Sequence, residues 1–199
     1  MMADSMNAGI MNEAEVLALF RATGVLLEGH FRLTSGRHSP VFLQCSQVMQ
    51  HPRQAERLGA ALAAVFADAD VATVIGPAMG GIILAHVTAR VLGARALFAE
   101  KEDGRMVLRR GFAVVPGERV LVVEDAITTG GSALDVVALA RAAGAEVVGI
   151  GCLVDRTGGK LDLGLPLKSL LRLEVPSYAP EECPLCAAGV PLTEPKRAS

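Results

Sequence analysis

Two adjacent carboxylates stand in front of a glycine-rich stretch in the second half of the chain. The segment VLVVEDAITTGGSALD runs from Val120 to Asp135 and carries Glu124 and Asp125 after four apolar residues. An apolar run, then glycines, then a helical pattern predicts a strand, a loop and a helix. Because a helix N-terminus offers N–H groups and the positive end of its dipole, the loop predicts a phosphate site.

This loop differs from the two common nucleotide-binding loops. It contains no lysine, so GxxxxGK[S/T] is absent, and no GxGxxG follows a strand. Two acids beside a phosphate would repel it unless they serve another group. Carboxylates accept hydrogen bonds from ribose hydroxyls and bind magnesium. The segment therefore predicts a sugar with its 5-phosphate on the loop and its diol on the acids. An ordinary strand–turn–helix with exposed acids is the alternative.

The rest of the chain predicts the elements that position this segment. Asn12 and Glu15 have capping-box spacing before a helix that stops at Gly24, and Pro52 begins a second helix. Short strands are expected on both sides of Thr34-Ser35-Gly36. Further strands are predicted at 71–75, 94–99, 120–123 and 146–154, and helices at 82–92 and 133–143. Such alternation predicts a parallel sheet with helices on both faces.

Composition excludes several classes of protein. The 199 residues suggest one domain, and 19 basic against 21 acidic residues give a net charge of -2. A nucleic-acid-binding protein usually has an excess of basic residues. This chain has none, so a nucleic-acid-binding surface is not expected. The first residues do not resemble a secretory signal, and the apolar run 81–99 is interrupted by His86, Arg90 and Arg95. A cytoplasmic protein without membrane contact is predicted.

The four cysteines are too few for a disulfide framework. Cys183 and Cys186 have C-x-x-C spacing, but zinc needs four ligands and the chain contains no second such pair. Two semi-buried thiols are therefore predicted, and no protein-held metal site. The histidines show no ligand spacing and are predicted to be structural or on the surface: His30, His38, His51 and His86.

The segment from Glu124 to Ser132 closely resembles the phosphoribosyl pyrophosphate (PRPP) motif of the type I phosphoribosyltransferases. That motif is an apolar strand, two acids, two apolar residues, a variable residue, Thr-Gly, a small residue and Ser or Thr. The resemblance implies the α/β type I phosphoribosyltransferase fold, with a mostly parallel sheet flanked by helices and a small N-terminal hood. Residues 1–199 would form one domain, with the first helix and the hood strands in 1–50 and a surface extension at 176–199.

Other segments are similar to those members of the family that act on orotate. FRLTSGRHSP (31–40) is similar to their N-terminal signature, GPAMGG (76–81) to their pyrophosphate loop, and FAEK (98–101) to the start of their mobile catalytic loop. Asp155-Arg156 resembles the pair whose arginine contacts the orotate carboxylate. The Cys-Pro-Leu-Cys tail is typical of the short-loop bacterial form. The resemblance covers nearly the whole chain.

It implies transfer of ribose 5-phosphate from PRPP to orotate, with Mg²⁺ as cofactor and a homodimer in which the catalytic loop reaches the neighbouring site. Lys101, Glu124 and Asp125 would be catalytic. The implied PRPP-binding residues are Lys101, Arg105, Glu124, Asp125, Ala126, Ile127, Thr128, Thr129, Gly130, Gly131 and Ser132. Ala78, Met79, Gly80 and Gly81 would form the pyrophosphate loop, and Thr128, Arg156 and Phe42 would contact orotate.

Several positions bear on the alternatives. Thr128 stands where purine-using relatives often carry Asp, which argues against a purine substrate, and the net charge argues against a nucleic-acid-binding regulator of this fold. Phe42 packing in the core and an Asp155–Arg156 ion pair remain open. Thr34, Gly80 and Glu100 replace cations common in relatives. Lys101 and Arg105, with Arg109 or Arg110, would then supply the charge that faces pyrophosphate.

Overall fold

The computed structural model describes residues 11–33 and 35–194 as an α/β protein. The helices are α1 (Glu13–Ala22), α2 (Ser46–Met49), α3 (Pro52–Val65), α4 (Gly81–Leu92), α5 (Gly131–Ala142) and α6 (Pro184–Ala187). The strands are β1 (Leu26–Arg32), β2 (His38–Leu43), β3 (Thr73–Pro77), β4 (Arg95–Glu102), β5 (Arg105–Val107), β6 (Arg119–Ile127), β7 (Glu146–Asp155) and β8 (Leu167–Arg172). Among these helices, none combines the length and apolar character that crossing a membrane requires.

Six strands form the central sheet in the order β5-β4-β3-β6-β7-β8. Every neighbouring pair is parallel except β4 and β5. The predicted mostly parallel sheet is therefore confirmed. After β3 the chain passes through α4 to β4 on one side, whereas after β6 it passes through α5 to β7 on the other side. The gap beyond the ends of β3 and β6 is thus the topological switch point of the sheet.

Alternate residues of β6 face two separate apolar layers. Leu121 and Val123 belong to the core formed with α1, α3 and α4, and Val120 and Val122 belong to the core formed with α5. All four are fully buried. Because right-handed crossovers running in opposite directions place their helices on opposite faces, the strand order itself produces this three-layer arrangement.

Several predicted boundaries are wrong by a few residues. The strand expected at 120–123 continues to Ile127, since β7 pairs with it as far as Ile127↔Asp155. The following helix begins at Gly131 rather than at residue 133. The predicted N-terminal capping box is present, with Glu15 N donating to Asn12 Oδ1 at 3.0 Å. Strands β5 and β8 and helix α2 were not predicted.

The N-terminal hairpin forms a separate two-stranded sheet that contacts the C-terminal segment. Strands β1 and β2 are antiparallel, and isolated bridges join Phe31 to Thr193 and His38 to Tyr178. The segment from residue 176 onward was predicted as a surface extension. Most of its described residues are exposed, and backbone hydrogen bonds and the buried Cys183 attach it to the hairpin.

Candidate active site

Two loops leave the sheet side by side at the switch point. Residues 78–80 connect β3 to α4, and residues 128–130 connect β6 to α5. Ala78 N donates to Ala99 O at 2.8 Å, which attaches the first loop to β4. The Ala78–Met79 peptide bond is cis, and the Met79 side chain is exposed. Since ligands of parallel sheets bind beyond the carboxyl ends of strands at such a point, this is the candidate active site.

The predicted phosphate loop is a small anion-sized hollow at the start of α5. A cavity of about 70 Å³ is lined by Glu124 and by residues 126–133. Gly130 has φ +76°, a backbone conformation that favours glycine, and a Cβ there would meet only the ends of the Leu163 and Leu161 side chains. Gly130 is the N-cap of α5 and has no side chain to compete with a ligand for the first N–H groups. The loop can therefore bind a phosphate.

Glu124 and Asp125 are half-buried at the end of β6. Removal from water, followed by the neighbouring Asp125 charge, raises the pKa of Glu124 to about 8. Burial likewise raises the pKa of Asp125. Both acids therefore hold their protons more tightly than free carboxylic acids do. A cation, or hydroxyl groups donating to them, would favour the ionised forms.

The predicted pyrophosphate loop approaches this acid pair at a glycine. A Cβ on Gly80 would lie 2.7 Å from Asp125 Oδ2 and 2.8 Å from its Cγ. Behind it, a Cβ on Gly76 would lie 2.2 Å from Gly81 O, so β3 and the start of α4 also approach closely. From the sequence, Gly80 was predicted to lie in the pyrophosphate loop and to replace a cation that is common in relatives. The structure adds that any side chain at this position must displace the Asp125 carboxylate or the loop.

Arg156 follows β7 and carries a buried donor. The backbone N–H of Arg156 donates to Ile127 O at 2.9 Å, which places this residue beside the start of the predicted phosphate loop. Its Nε is buried and has no hydrogen-bond partner within the described residues. Burial also lowers the pKa of Arg156. A buried cationic donor without an acceptor is unusual, and an anionic ligand would complete it.

The Asp155–Arg156 ion pair, which the sequence left open, is not formed within the described parts of the chain. Asp155 is buried and accepts hydrogen bonds from Thr157 N at 2.8 Å, Thr157 Oγ1 at 2.6 Å and Gly159 N at 2.9 Å. These contacts use the carboxylate to shape the turn after β7. Arg156 is therefore left available to a ligand.

Two cysteines that the sequence did not connect with this site lie near its charged groups, which affect their pKa values. Burial raises the pKa of the Cys45 thiol, and the charge of Asp125 raises it further, whereas the charge of Arg156 lowers it. Cys152 is the β7 partner of Glu124, and burial raises its pKa as well. Both thiols stay protonated at neutral pH. No sequence spacing links them to the acids, because Cys152 reaches Glu124 through strand pairing and Cys45 precedes α2 in a distant part of the chain.

The predicted catalytic loop begins as a β-hairpin. β4 continues through Lys101, which pairs with Met106 of β5, and Asp103-Gly104 make the turn. Arg110 binds Glu100 at 2.9 Å, and Arg109 binds Glu102. The two arginines expected to replace missing cations are thus already paired. Lys101 and Arg105 are exposed, and neither forms an ion pair with any residue that the structure describes.

Phe42 is buried in the hood, where its ring centroid lies 5.8 Å from that of Phe31. This contact supports the packing alternative, and its role in orotate binding stays a prediction. Thr34 lies outside the described residues.

Residues 44–171 match the phosphoribosyl transferase domain family. The chain therefore belongs to the phosphoribosyltransferases, in agreement with the sheet, the phosphate loop and the acid pair.

The full-length relatives are more specific. The chain is 56% identical over 185 residues to the orotate phosphoribosyltransferase of Pelotomaculum thermopropionicum, with 93% of this chain and 97% of that one covered. It is 52% identical over 177 residues to the Thermotoga maritima enzyme of the same name, with 89% and 95% covered. Within the family, the chain belongs to the orotate phosphoribosyltransferases.

Solved structures agree with this assignment. The Mycobacterium tuberculosis H37Rv orotate phosphoribosyltransferase in complex with inorganic phosphate has a TM-score of 0.66 at 29% identity, covering 81% of this chain and 95% of that chain. The complex of that enzyme with PRPP has a TM-score of 0.61 at 28% identity, covering 81% and 89%.

Proposed function

We propose that this protein transfers ribose 5-phosphate from PRPP to orotate and releases pyrophosphate, forming orotidine 5-phosphate in pyrimidine (UMP) biosynthesis. The observation that supports this most directly is the buried Arg156 Nε, which has no acceptor among the described residues and lies beside an acid pair and a predicted phosphate loop. A planar guanidinium is the side chain best suited to a carboxylate ligand such as that of orotate. Thr128, which is exposed at the loop, would contact the same base.

The acids and the loop would act mainly by positioning and electrostatics. The anomeric carbon becomes cation-like as pyrophosphate leaves. Glu124 and Asp125 would accept hydrogen bonds from the ribose diol and stabilise that positive charge. The residues 128–132 would fix the 5-phosphate through N–H and hydroxyl donors. Because the reacting sugar is held at both ends, its anomeric carbon faces the base.

The two carboxylates also fit a magnesium ion, which prefers oxygen ligands and binds through one or two carboxylates together with substrate phosphates. Phosphoribosyltransferases generally use Mg²⁺ with PRPP. When bound, the ion supplies positive charge to the pyrophosphate oxygens. Ionised Glu124 and Asp125 would hold both the diol and the ion.

Lys101 and Arg105 are the cations that we assign to the leaving pyrophosphate. Both are exposed on the β4–β5 hairpin, while Arg109 and Arg110 are engaged with acids of the same hairpin. We propose that the hairpin serves the active site of the other subunit in a homodimer. The hood, the sheet domain and the C-terminal segment would then form one catalytic unit per chain.

The substrate is tested by mixing the protein with PRPP, Mg²⁺ and one base, and following absorbance. Orotate should be consumed with pyrophosphate release, whereas adenine, hypoxanthine and uracil should not. Turnover of adenine or hypoxanthine in preference to orotate would assign a purine phosphoribosyltransferase. Binding of nucleotides without turnover of any base would favour a regulator.

The shared loop is tested by mixing two inactive variants, Lys101→Ala and Asp125→Asn, and allowing subunits to exchange. Each mixed dimer would contain one site with both defects and one site with neither. Activity should return to about one quarter of wild type in a random mixture, since half the dimers then have one intact site. If native mass spectrometry detects mixed dimers and activity does not return, Lys101 acts within its own subunit or has no catalytic role.

A further inference from the structure

Four metal-binding side chains from distant parts of the chain meet between the hood and the C-terminal segment. His30 lies on β1, His38 on β2, and Cys183 and Cys186 lie at the start of α6 and within it. One ligand atom from each of the four lies within 4.8 Å of the other three. We propose that these residues form a structural zinc site that ties the C-terminal segment to the hood hairpin.

The separations of the ligand atoms agree with a tetrahedral zinc ion. With the usual Zn–N and Zn–S bond lengths, tetrahedral geometry places N–N pairs about 3.3 Å apart, N–S pairs about 3.5 Å apart and S–S pairs about 3.8 Å apart. His30 Nε2 lies 3.1 Å from His38 Nδ1, 3.5 Å from Cys183 Sγ and 3.7 Å from Cys186 Sγ. His38 Nδ1 lies 3.2 Å from Cys186 Sγ.

The hydrogen bonding around His30 prepares it to bind a metal. Its Nδ1 lies 2.8 Å from Val190 O, and because a carbonyl only accepts, Nδ1 must donate. The Nε2 lone pair of the neutral ring therefore points toward His38 and the two thiols. Metal-binding histidines typically donate their second N–H to a carbonyl or carboxylate in this way.

The donor set and its burial favour zinc over other divalent ions and a structural role over a catalytic one. Two sulfurs and two imidazole nitrogens in tetrahedral arrangement are typical of zinc, whereas magnesium prefers oxygen. His30, His38 and Cys183 are buried, and only Cys186 is exposed. With four protein ligands the coordination is complete, so no position remains for a substrate.

The position of the site indicates what the ion stabilises. A two-stranded hairpin is only marginally stable by itself. The described contacts between the hood and the C-terminal segment otherwise include Ser39 Oγ donating to Pro176 O at 2.8 Å and Arg37 Nε donating to Ser177 Oγ at 3.0 Å. Zinc would add four bonds at this junction, and its binding energy would become folding energy of the hood.

Metal analysis tests the proposal directly. The full chain, expressed with added zinc and purified without chelators, should contain about one zinc per chain when its metals are measured by mass spectrometry. X-ray absorption should give two sulfur and two nitrogen neighbours. Replacement by cobalt should produce the strong visible bands of a tetrahedral site and a thiolate charge-transfer band. His38→Asn and Cys186→Ser should lose the metal and these bands.

The exposed histidines His51 and His86 provide matched controls, and His51→Asn and His86→Asn should retain zinc and the cobalt spectrum. Chelation should lower the Tm of the wild type, and added zinc should restore it, whereas the Tm of Cys186→Ser should not respond. Wild type without zinc and without cobalt bands would overturn the proposal. So would a Cys183–Cys186 disulfide in the freshly purified protein, or zinc retained by both ligand variants.

Discussion

Two regions of the molecule differ in how their functional groups are brought together: the acid pair with its predicted phosphate loop, and the His–Cys cluster formed by His30, His38, Cys183 and Cys186. The groups of the candidate active site come mainly from one continuous segment, are partly open to solvent, and include a buried donor without an acceptor in the part of the chain that the structure describes. The four His–Cys residues come from three segments, and their ligand atoms lie against one another. His30 also has its second nitrogen bonded to the backbone.

The two regions therefore differ in what they need: the acid pair and Arg156 need a substrate or a cation as a partner, whereas the four His and Cys side chains together form a full set of metal ligands. Raised pKa values at Glu124 and Asp125 mean that folding disfavours their charged forms, and a substrate or a cation would relieve that cost. At the cluster of His30, His38, Cys183 and Cys186, the protein side chains alone would provide all four ligands of a tetrahedral zinc ion. Substitutions in the first region should therefore reduce activity more than stability, and substitutions in the second region should do the reverse.

Asp125→Asn should give the largest loss of activity. The variant keeps the shape of the side chain but removes the charge that stabilises the sugar cation, so kcat/KM should fall about 100–1000-fold. Its Tm should not fall, because a half-buried charge is removed. Asp135→Asn, on the exposed side of α5, is the matched control and should retain activity. Wild-type kcat/KM in Asp125→Asn would exclude this carboxylate from catalysis.

Arg156→Ala should affect one substrate selectively. Loss of a charged hydrogen bond worth about 1.5–3 kcal/mol should raise the KM for orotate roughly 10- to 150-fold and change the KM for PRPP much less. Arg156→Lys should recover little of the loss, since an ammonium group does not reproduce the planar fork. Arg141→Ala, in the last turn of α5, is the control. Equal changes in both KM values would contradict the assignment to orotate.

Gly80→Ala should reduce kcat/KM about tenfold by displacing the Asp125 carboxylate, because the new Cβ would lie 2.7 Å from Oδ2. The effect should disappear when Asp125→Asn is already present, a non-additivity that a double-mutant cycle measures. Gly131→Ala is the matched control: its Cβ would meet Thr129 Oγ1 at 3.7 Å, and its effect should add to that of Asp125→Asn. Additive effects at Gly80 would mean that the methyl acts elsewhere.

The sequence predicted those parts of the molecule that depend only on residues close together in the chain. The loop 128–132 and the alternating strands and helices follow from local patterns, and the expected fold is confirmed. The end of β6 was placed too early because Glu124 and Asp125 are polar. Pairing with β7, which no local pattern reveals, extends the strand through them.

The His–Cys cluster shows the limit of spacing arguments. His30 and Cys183 are 153 positions apart, and the histidines reach the cysteines only because the C-terminal segment pairs with the hairpin. The sequence search for a second C-x-x-C pair could not detect such a set. His30 and His38, predicted as structural or surface residues, are buried, while His51 and His86 are exposed. The close approach of Gly80 to Asp125 could not be predicted either, because these residues are distant in the sequence and meet only in the folded protein.

Glu124→Gln should change the stability of the protein with a characteristic dependence on pH. The pKa of Glu124 rises from 4.5 to about 8 on folding, so the folded protein retains a proton that the unfolded chain releases. The stability contributed by this proton is complete below about pH 4.5 and is lost as the pH rises to about 8. Glutamine cannot ionise and avoids this loss.

The free energy of unfolding of Glu124→Gln relative to wild type should therefore increase by on the order of 3 kcal/mol between pH 5 and pH 8 and then level off. The corresponding increase in Tm is roughly 6–12 °C. The measurement requires the protein without substrate or added magnesium, because either would favour the ionised carboxylate. Glu56→Gln, on the exposed side of α3, should not reproduce the pattern. A Tm difference that stays constant across this range would show that Glu124 titrates alike in both states. The acid pair would then not be held at a cost to folding, and the contrast with the His–Cys cluster would rest on geometry alone.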